Sequence, residues 1–512
     1  MIKESKLTRQ MHLIKRSSIV FISLLLSLAA NSQSNKKIFD ANFFTQANAN
    51  RTAAEWEPAV GTMIVYPLSI PYKLVVELAK DNHLYTIVEN ETSKNEALKW
   101  FTKWGINHGN NTFIYATQGV DAWWVRDWGP SAVFPPQGKM MLADGKYIYS
   151  TPLTAMGCAD SLSFLYKDKT NSIIKTQTDD NAIIPVGKAL KINVLDLPFI
   201  NTGGNVLNDG LGTAFSTCIM LNENNYYNVS PESFLDLNRK LLGFTNYNII
   251  SNFEKSGIQH IDCFMKLLDE ERILVAEPPA DHELYSLYEN IIESELKKLR
   301  TFYGRPYKIL RIKTYRYTNQ NLAAYTNSII INKTVYVPLF NIKEDSIALK
   351  KWQEVMPGYS IKGFLFSLDE EDIVSKEMRN HYKNGYGWNF GDALHCRTRA
   401  VWDREMLFIT VKTIADEVSV KDKNIVYTSI IDYSKKGLVK GEHKVFWRLF
   451  GERAWKTILL KKTGTQNHFS AEIPSHEAGK TIEYYVSAVS NSGRKETHPR
   501  TAPLGSHTFK IK

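Results

Sequence analysis

The chain has 512 residues, long enough for two or three domains, and its 43% hydrophobic and 12% aromatic content excludes disorder over most of its length. Formal net charge is +10, but five basic residues and one acidic residue fall in the first 32 positions, so the remaining 480 carry only +6. No basic stripe accompanies that mild excess, which argues against nucleic acid as a partner.

The N-terminus reads as an export signal over residues 1–32. Basic residues end at Arg16, an apolar run Ile19–Leu28 follows, and Ala30-Asn31-Ser32 offers small residues for cleavage. The run is short for a bilayer span of about 20 residues, so no membrane span is expected after signal removal. Residues 33–50 form an N-terminal segment. From Leu74 to Pro136 the pattern predicts helix, strand, helix, strand and then a loop bearing Trp124-Val125-Arg126-Asp127. Asn201-Thr202-Gly203-Gly204-Asn205 and Asp209-Gly210 predict a strand end and a hairpin. No Lys-Ser/Thr follows, so this is no nucleotide loop. His260–Pro278 predicts two strands around Asp269-Glu270-Glu271, Glu283–Arg300 a helix and Tyr307–Thr314 a strand. Tyr325–Phe340 predicts a hairpin turning at Asn332-Lys333-Thr334, Asp345–Met356 a helix and Ser360–Phe366 a strand. Beyond Ile414 a polar bridge leads into about ninety residues of short alternating strands and turns, the pattern of an immunoglobulin-like β-sandwich at 418–512.

Polar motifs recur at Asp127, Gly203, His260, Asn327 and Cys396, spaced by 76, 57, 67 and 69 residues. Near-constant spacing suggests repeated units that each deliver one motif to a common centre. A doubly wound sheet is the alternative on element order alone.

The motifs supply a thiol, an imidazole and two carboxylates. That set suits a cationic substrate with an electrophilic carbon, and a guanidinium is such a group. Asp127 and Asp262 can each accept paired N–H bonds from it, and Trp124 can cover the cation or its stem. His260 and Asp262, two apart in an expected strand, face one side. Half a metal site is the other reading of His-x-Asp, but no third ligand lies at metal-like spacing, so neither metal nor cofactor is expected. His395 and Cys396, adjacent in an expected strand, point apart. Cys396 follows Gly385, Gly387 and Gly391, a run that permits close backbone approach to a ligand, as Gly203-Gly204 also does. The expected course is attack by Cys396 at the guanidinium carbon, with His260 serving first as acid and then as base through a thiouronium intermediate. Cys218 and Cys263 read as core thiols, and four cysteines are too few for a disulfide framework.

Together, Trp124–Pro130, Gly203–Thr213, His260–Cys263, Tyr325–Ser328 and Ala393–Thr398 resemble the guanidine-modifying superfamily. The nearest branch is the Porphyromonas-type peptidylarginine deiminases, with agmatine deiminases next. The resemblance runs from about Glu55 to Ile414. It implies an α/β fold, a five-bladed pseudo-symmetric propeller (a pentein), as a catalytic domain over 51–415 ahead of the Ig-like module. It also implies that Cys396 is nucleophile, His260 acid/base, Asp127 and Asp262 guanidinium ligands, Asn327 a polar partner, and that no metal is used. The implied activity is hydrolysis of arginine in peptides or proteins to citrulline and ammonia. A deiminase of agmatine or free guanidino compounds, and a catalytically idle surface-binding protein, are the competing readings. One departure is notable. Where relatives demanding a C-terminal arginine carry two arginines around a proline, this chain reads Ser150-Thr151-Pro152-Leu153-Thr154, so a strict C-terminal preference is not expected unless Arg397 or Arg399 substitutes.

Overall fold

A computed structural model describes residues 49–116, 123–147, 180–254, 259–318, 321–366, 388 and 392–512. The export signal, Cys158, the Ser150–Thr154 stretch and the glycines at 385, 387 and 391 lie outside the described residues.

The predicted helices and strands form in the expected order, with Lys308–Lys313, Asp345–Val355 and Ser360–Leu365 within a residue of their expected limits and the helix Tyr285–Ser294 ending six residues early. The helix Tyr72–Asp81 buries Leu74, Val75, Leu78 and Ala79 on one face, the spacing that a 3.6-residue period requires. The next helix, Glu91–Lys103, starts at Asn90, whose side chain accepts from the Ser93 amide in a reciprocal capping box. Asn332, at a left-handed φ of 53°, turns the hairpin between Ile329–Ile331 and Thr334–Leu339.

Five mixed sheets carry one pattern: an antiparallel pair followed by a strand added in parallel. They are built on Ser131–Phe134, Met141–Lys146 and Asn193–Ile200; Leu207–Asn208, Thr213–Thr217 and Asn246–Ile250; Met265–Leu267, Arg272–Glu277 and Lys308–Lys313; Ile329–Ile331, Thr334–Leu339 and Ser360–Leu365; and Arg399–Trp402, Ala59–Val65 and His83–Val88. Parallel strands need a crossover, and helices such as Ile183–Leu190, Tyr285–Ser294 and Asp345–Val355 supply it. In the fifth sheet a late strand pairs with an early one, so the two ends of this region meet. No helix among the described residues is long and apolar enough to cross a membrane.

Each sheet's first strand is preceded by a polar turn, and these turns hold the five motifs. The Trp-Val-Arg-Asp loop is one helical turn, Val125–Trp128. Gly203–Asn205 and Ile261–Cys263 are 3-10 turns. The expected strand through His260 and Asp262 therefore starts later, at Met265. A pleated strand sends neighbouring side chains to opposite faces, whereas a turn can aim several of them to one side.

At the C-terminal end, one sheet orders Leu407–Lys412, Asn424–Asp432, His468–Ile473 and Lys461–Lys462. Thr481–Val489, Lys444–Leu449 and His507–Ile511 form the core of a second. Both sheets feed one apolar cluster containing Val411, Val426, Ile473, Val445, Ile482 and Val486, an arrangement compatible with a β-sandwich. Leu407–Lys412, within the expected catalytic segment, pairs along its length with Asn424–Asp432.

Candidate active site

The five turns are braced to one another in a closed ring of hydrogen bonds. The Gly204 amide donates to Asp127 Oδ1 at 3.0 Å. The Ile261 amide donates to Asn205 Oδ1 at 3.1 Å. Thr326 Oγ1 donates to the Cys263 carbonyl at 2.9 Å. The His395 amide donates to the Asn327 carbonyl at 3.1 Å, and the Arg126 amide to the Cys396 carbonyl at 3.1 Å. Residues separated by up to about 270 positions thus frame one centre, in which Asp127, His260, Asp262, Asn327 and Cys396 are all buried.

Gly203 and Gly204 line it for a steric reason. A Cβ on Gly204 would sit 2.4 Å from Asp127 Oδ1, 3.1 Å from His260 Nδ1 and 3.3 Å from Asp262 Oδ2. One on Gly203 would meet the Arg126 carbonyl oxygen at 2.2 Å. Two carboxylates and an imidazole therefore crowd one glycine Cα, a spot that only a residue without a side chain leaves open. His260 Nδ1 lies 3.6 Å from Asp127 Oδ1 and makes no protein hydrogen bond.

Asn327 acts on Cys396 from both ends of its amide. Nδ2 donates to Cys396 Sγ at 3.1 Å. Oδ1 accepts from the amides of Ala393 and His395 at 3.1 and 3.0 Å, fixing the turn that presents the thiol. The Asp345–Val355 helix holds Asn327 in place: Trp352 Nε1 donates to the Tyr325 carbonyl and Tyr325 Oη to Asp345.

His395 and Cys396 do not point apart, because they occupy a turn rather than a strand. His395 Nδ1 lies 2.6 Å from Asp262 Oδ2, and Cys396 Sγ lies 3.5 Å from the same oxygen. His395 Nε2 reaches Glu55 Oε2 at 2.5 Å. Glu55 also accepts from Lys266 Nζ at 3.1 Å and the Ile330 amide at 2.9 Å, and Arg126 lies 3.7 Å away. An Asp262–His395–Glu55 chain therefore backs the thiol. Sequence reading did not assign Glu55, Lys266 or His395 to the site. Glu55 and Lys266 are single charged residues with no surrounding motif. The one available signal was His395 beside the nucleophile candidate.

Trp124 is half-buried, and its indole N–H donates to Asp392 Oδ2 at 2.8 Å. Arg397 grips Asp392 through Nε and Nη2 at 3.1 and 2.9 Å and bonds the Ser69 carbonyl. Arg399 bonds the carbonyls of Pro130 and Arg126 and Ser131 Oγ. Both arginines are thus committed to the frame and do not offer a free fork to a substrate carboxylate.

Charges in this centre are set for a cation. Burial, with Asp262 and Asp392 nearby, pushes Asp127 well above the usual carboxylate range. Burial pushes Cys396 up to about 12, and burial pushes His260 down to about 4 against the pull of Asp262 and Asp392. Asp262 goes the other way: burial opposes ionisation, but the hydrogen bond and charge of His395 hold it below its ordinary value. At neutral pH these shifts keep the thiol and the imidazole uncharged beside the carboxyl groups. A bound cation favours both the carboxylate and the thiolate. Asp262, Cys263 and Cys396 also bring donor atoms within 4.8 Å of one another, a set soft enough for zinc. Cys218, expected as a core thiol, is instead disulfide-bonded, whereas Cys263 is a free, buried thiol as expected.

The model of the Porphyromonas-type peptidyl-arginine deiminase family matches residues 51–368, well over half of the chain. The chain belongs to this family. Deiminases of this kind hydrolyse C–N bonds of guanidino groups, and the chain is accordingly a hydrolase of the guanidine-modifying deiminases. The matched residues include Asp127, His260, Asp262 and Asn327 and stop before the Cys396 turn. A protein of Yersinia pseudotuberculosis serotype O:1b (strain IP 31758), described as "Putative agmatine deiminase", is 25% identical over 269 residues, covering 47% of this chain and 68% of its own. Among solved structures, the agmatine deiminase of C. jejuni is 17% identical with a TM-score of 0.51, covering 70% of this chain and 97% of its own. That of Enterococcus faecalis is 18% identical with a TM-score of 0.50, covering 70% and 96%. At such identities the structures bear on the fold alone, and they match the α/β region of this chain.

Proposed function

We propose that the chain is an exported deiminase that converts arginine in peptides or proteins to citrulline and ammonia, with Cys396 as nucleophile. The observation that carries this reading is the convergence of Asp127, His260 and Asp262 on Gly204, with Cys396 Sγ 3.5 Å from Asp262 Oδ2. Two carboxylates beside a thiol and an imidazole match a planar cation whose central carbon is to be attacked.

Substrate binding drives the first step. The guanidinium ionises Asp127, whose proton goes to solvent and returns when product leaves, and it lowers the thiol's pKa, so the Cys396 proton passes to His260. Sulfur adds to the guanidinium carbon. His260 then protonates the leaving nitrogen, which departs as ammonia and leaves a thiouronium on Cys396. Water adds next, its proton taken by His260. Collapse breaks the C–S bond, restores the thiol and releases a neutral ureido group together with one proton for the ammonia. Asn327 Nδ2, which bonds Cys396 Sγ, steadies the sulfur as it gains and loses charge. Loss of the substrate's positive charge weakens its hold on Asp127 and Asp262 and favours release. The Glu55–His395–Asp262 chain keeps Asp262 ionised and oriented.

The repeated sheet pattern and the ring of braced turns support a five-bladed α/β propeller with the site at its hub. The shared apolar cluster of the two C-terminal sheets supports an Ig-like sandwich. Export is supported by the N-terminal signal pattern, and a disulfide at Cys218 is at home in an oxidising compartment.

A second reading, hydrolysis of agmatine, is favoured by the names of the curated relative and of the two solved structures. One experiment separates them. Purified protein is offered an arginyl peptide with both ends blocked, the same peptide ending in free arginine, free arginine and agmatine, and ureido product is measured. Turnover of the blocked peptide at least tenfold above agmatine is the expected result. The reverse order assigns the chain to agmatine or a similar small amine.

A further inference from the structure

Cys263 has no part in the steps above, yet it sits against the nucleophile. Its Sγ lies within 4.8 Å of Cys396 Sγ, and both thiols point at one carboxylate, Cys263 Sγ 3.6 Å from Asp262 Oδ1 and Cys396 Sγ 3.5 Å from Asp262 Oδ2. They are the free cysteines among the described residues, and both are buried. The same short loop holds both partners. Thr326 Oγ1 bonds the Cys263 carbonyl at 2.9 Å, and Asn327 Nδ2 bonds Cys396 Sγ at 3.1 Å. Two side chains from turns that are 133 residues apart in sequence are thereby kept in register, and closing the sulfurs to the roughly 2.05 Å of a disulfide is a local movement.

We propose that Cys263 is a resolving thiol for Cys396, so that peroxide converts the active site reversibly to a Cys263–Cys396 disulfide. This rests on the reading of Cys396 as the reactive thiol. In the first step the Cys396 thiolate attacks a peroxide oxygen. The O–O bond breaks, and Cys396 becomes a sulfenic acid as the peroxide is reduced to water. In the second step Cys263 sulfur attacks Cys396 sulfur and expels the sulfenic oxygen, which leaves as a second water with the thiol proton. Two thiols and one peroxide thus give one disulfide and two waters. The disulfide removes the nucleophile from service but shields it from further oxidation to sulfinic acid, which reductants do not reverse.

The test uses the full chain exposed to hydrogen peroxide at mildly alkaline pH, because burial pushes the Cys396 thiol up and alkali raises the share of thiolate that attacks. Free thiols are then alkylated and the non-reduced digest is mapped by mass spectrometry. The expected product is a peptide pair linking Cys263 to Cys396, with activity lost on oxidation and recovered to about nine-tenths by dithiothreitol. Cys263→Ser loses activity under the same treatment but recovers less than about a tenth of it, its Cys396 carried on to sulfinic acid. Cys263→Ala, checked by thermal melting, stands in if the serine variant fails to fold. Oxidised Cys396 with no linked peptide, or equal recovery in wild type and variants, overturns the proposal. Reduced wild type with no deiminase activity would instead fail the proposed function, while the linked-peptide map still decides the pairing.

Discussion

Replacing Gly204 with alanine adds a single methyl group, and the site's geometry sets its cost. The new Cβ lies 2.4 Å from Asp127 Oδ1, 3.1 Å from His260 Nδ1 and 3.3 Å from Asp262 Oδ2. Ordinary contact needs about 3.4 Å, so Asp127 must retreat by roughly 1 Å. A misplacement of that size near the reacting atoms costs about a hundredfold in rate. Moving Asp127 also strains its charge-assisted bond to the Gly204 amide, of the order of 1.5–3 kcal/mol when lost. We predict a fall in kcat/KM of about two to three orders of magnitude on any guanidino substrate. Destabilisation should stay within the roughly 1–3 kcal/mol of ordinary overpacking, so the variant should remain folded. Steady-state ureido assays and thermal melts read the two effects. A variant within threefold of wild type in kcat/KM would refute the claim that a substrate cation sits between Asp127, His260 and Asp262.

Cys396→Ser should reduce turnover by more than about a thousandfold with little change in melting temperature, since an alcohol is a far poorer nucleophile. Asn327→Ala should destabilise the chain by roughly 1–3 kcal/mol, because the buried Ala393 amide loses its acceptor while the His395 amide keeps the main-chain carbonyl of residue 327, a loss readable by urea denaturation. His260 gives a pH signature. Its folded pKa is about 4 against an ordinary 6.5, so its neutral form is favoured by folding. That stability is fully present above about pH 6.5 and is lost as pH falls, about 3 kcal/mol by pH 4. His260→Ala should flatten the acid limb of the stability curve by that amount, and an unchanged limb would contradict the assignment. EDTA should leave activity intact. Loss restored by one added metal would show that the Asp262, Cys263 and Cys396 donor set holds an ion in the working enzyme.

The parts of the site that the sequence made legible were those marked by composition. Trp124–Asp127, Gly203-Gly204, His260-Ile261-Asp262 and the Cys396 string are polar or glycine-rich islands between apolar strands, and their even spacing pointed to one centre. The local geometry was less legible. His-x-Asp reads as one face of a strand only if the strand exists, and here a 3-10 turn takes its place. The same error separated His395 from Cys396, which a turn brings to one carboxylate. Glu55 and Lys266 were invisible for another reason. Each is an isolated charge whose partner lies about 200 positions away, and no local pattern encodes that. Cys218 looked like core because a half-cystine in an apolar run has the neighbours of a buried thiol.

The central claim is covalent chemistry at Cys396 on a guanidinium carbon. Acid quench during turnover, followed by mass mapping, tests it directly. The account predicts that Cys396 carries the substrate less ammonia at steady state, that the adduct disappears as ureido product accumulates, and that His260→Ala alters its level. Ureido product formed while Cys396 stays unmodified, together with full activity of Cys396→Ser, would contradict it.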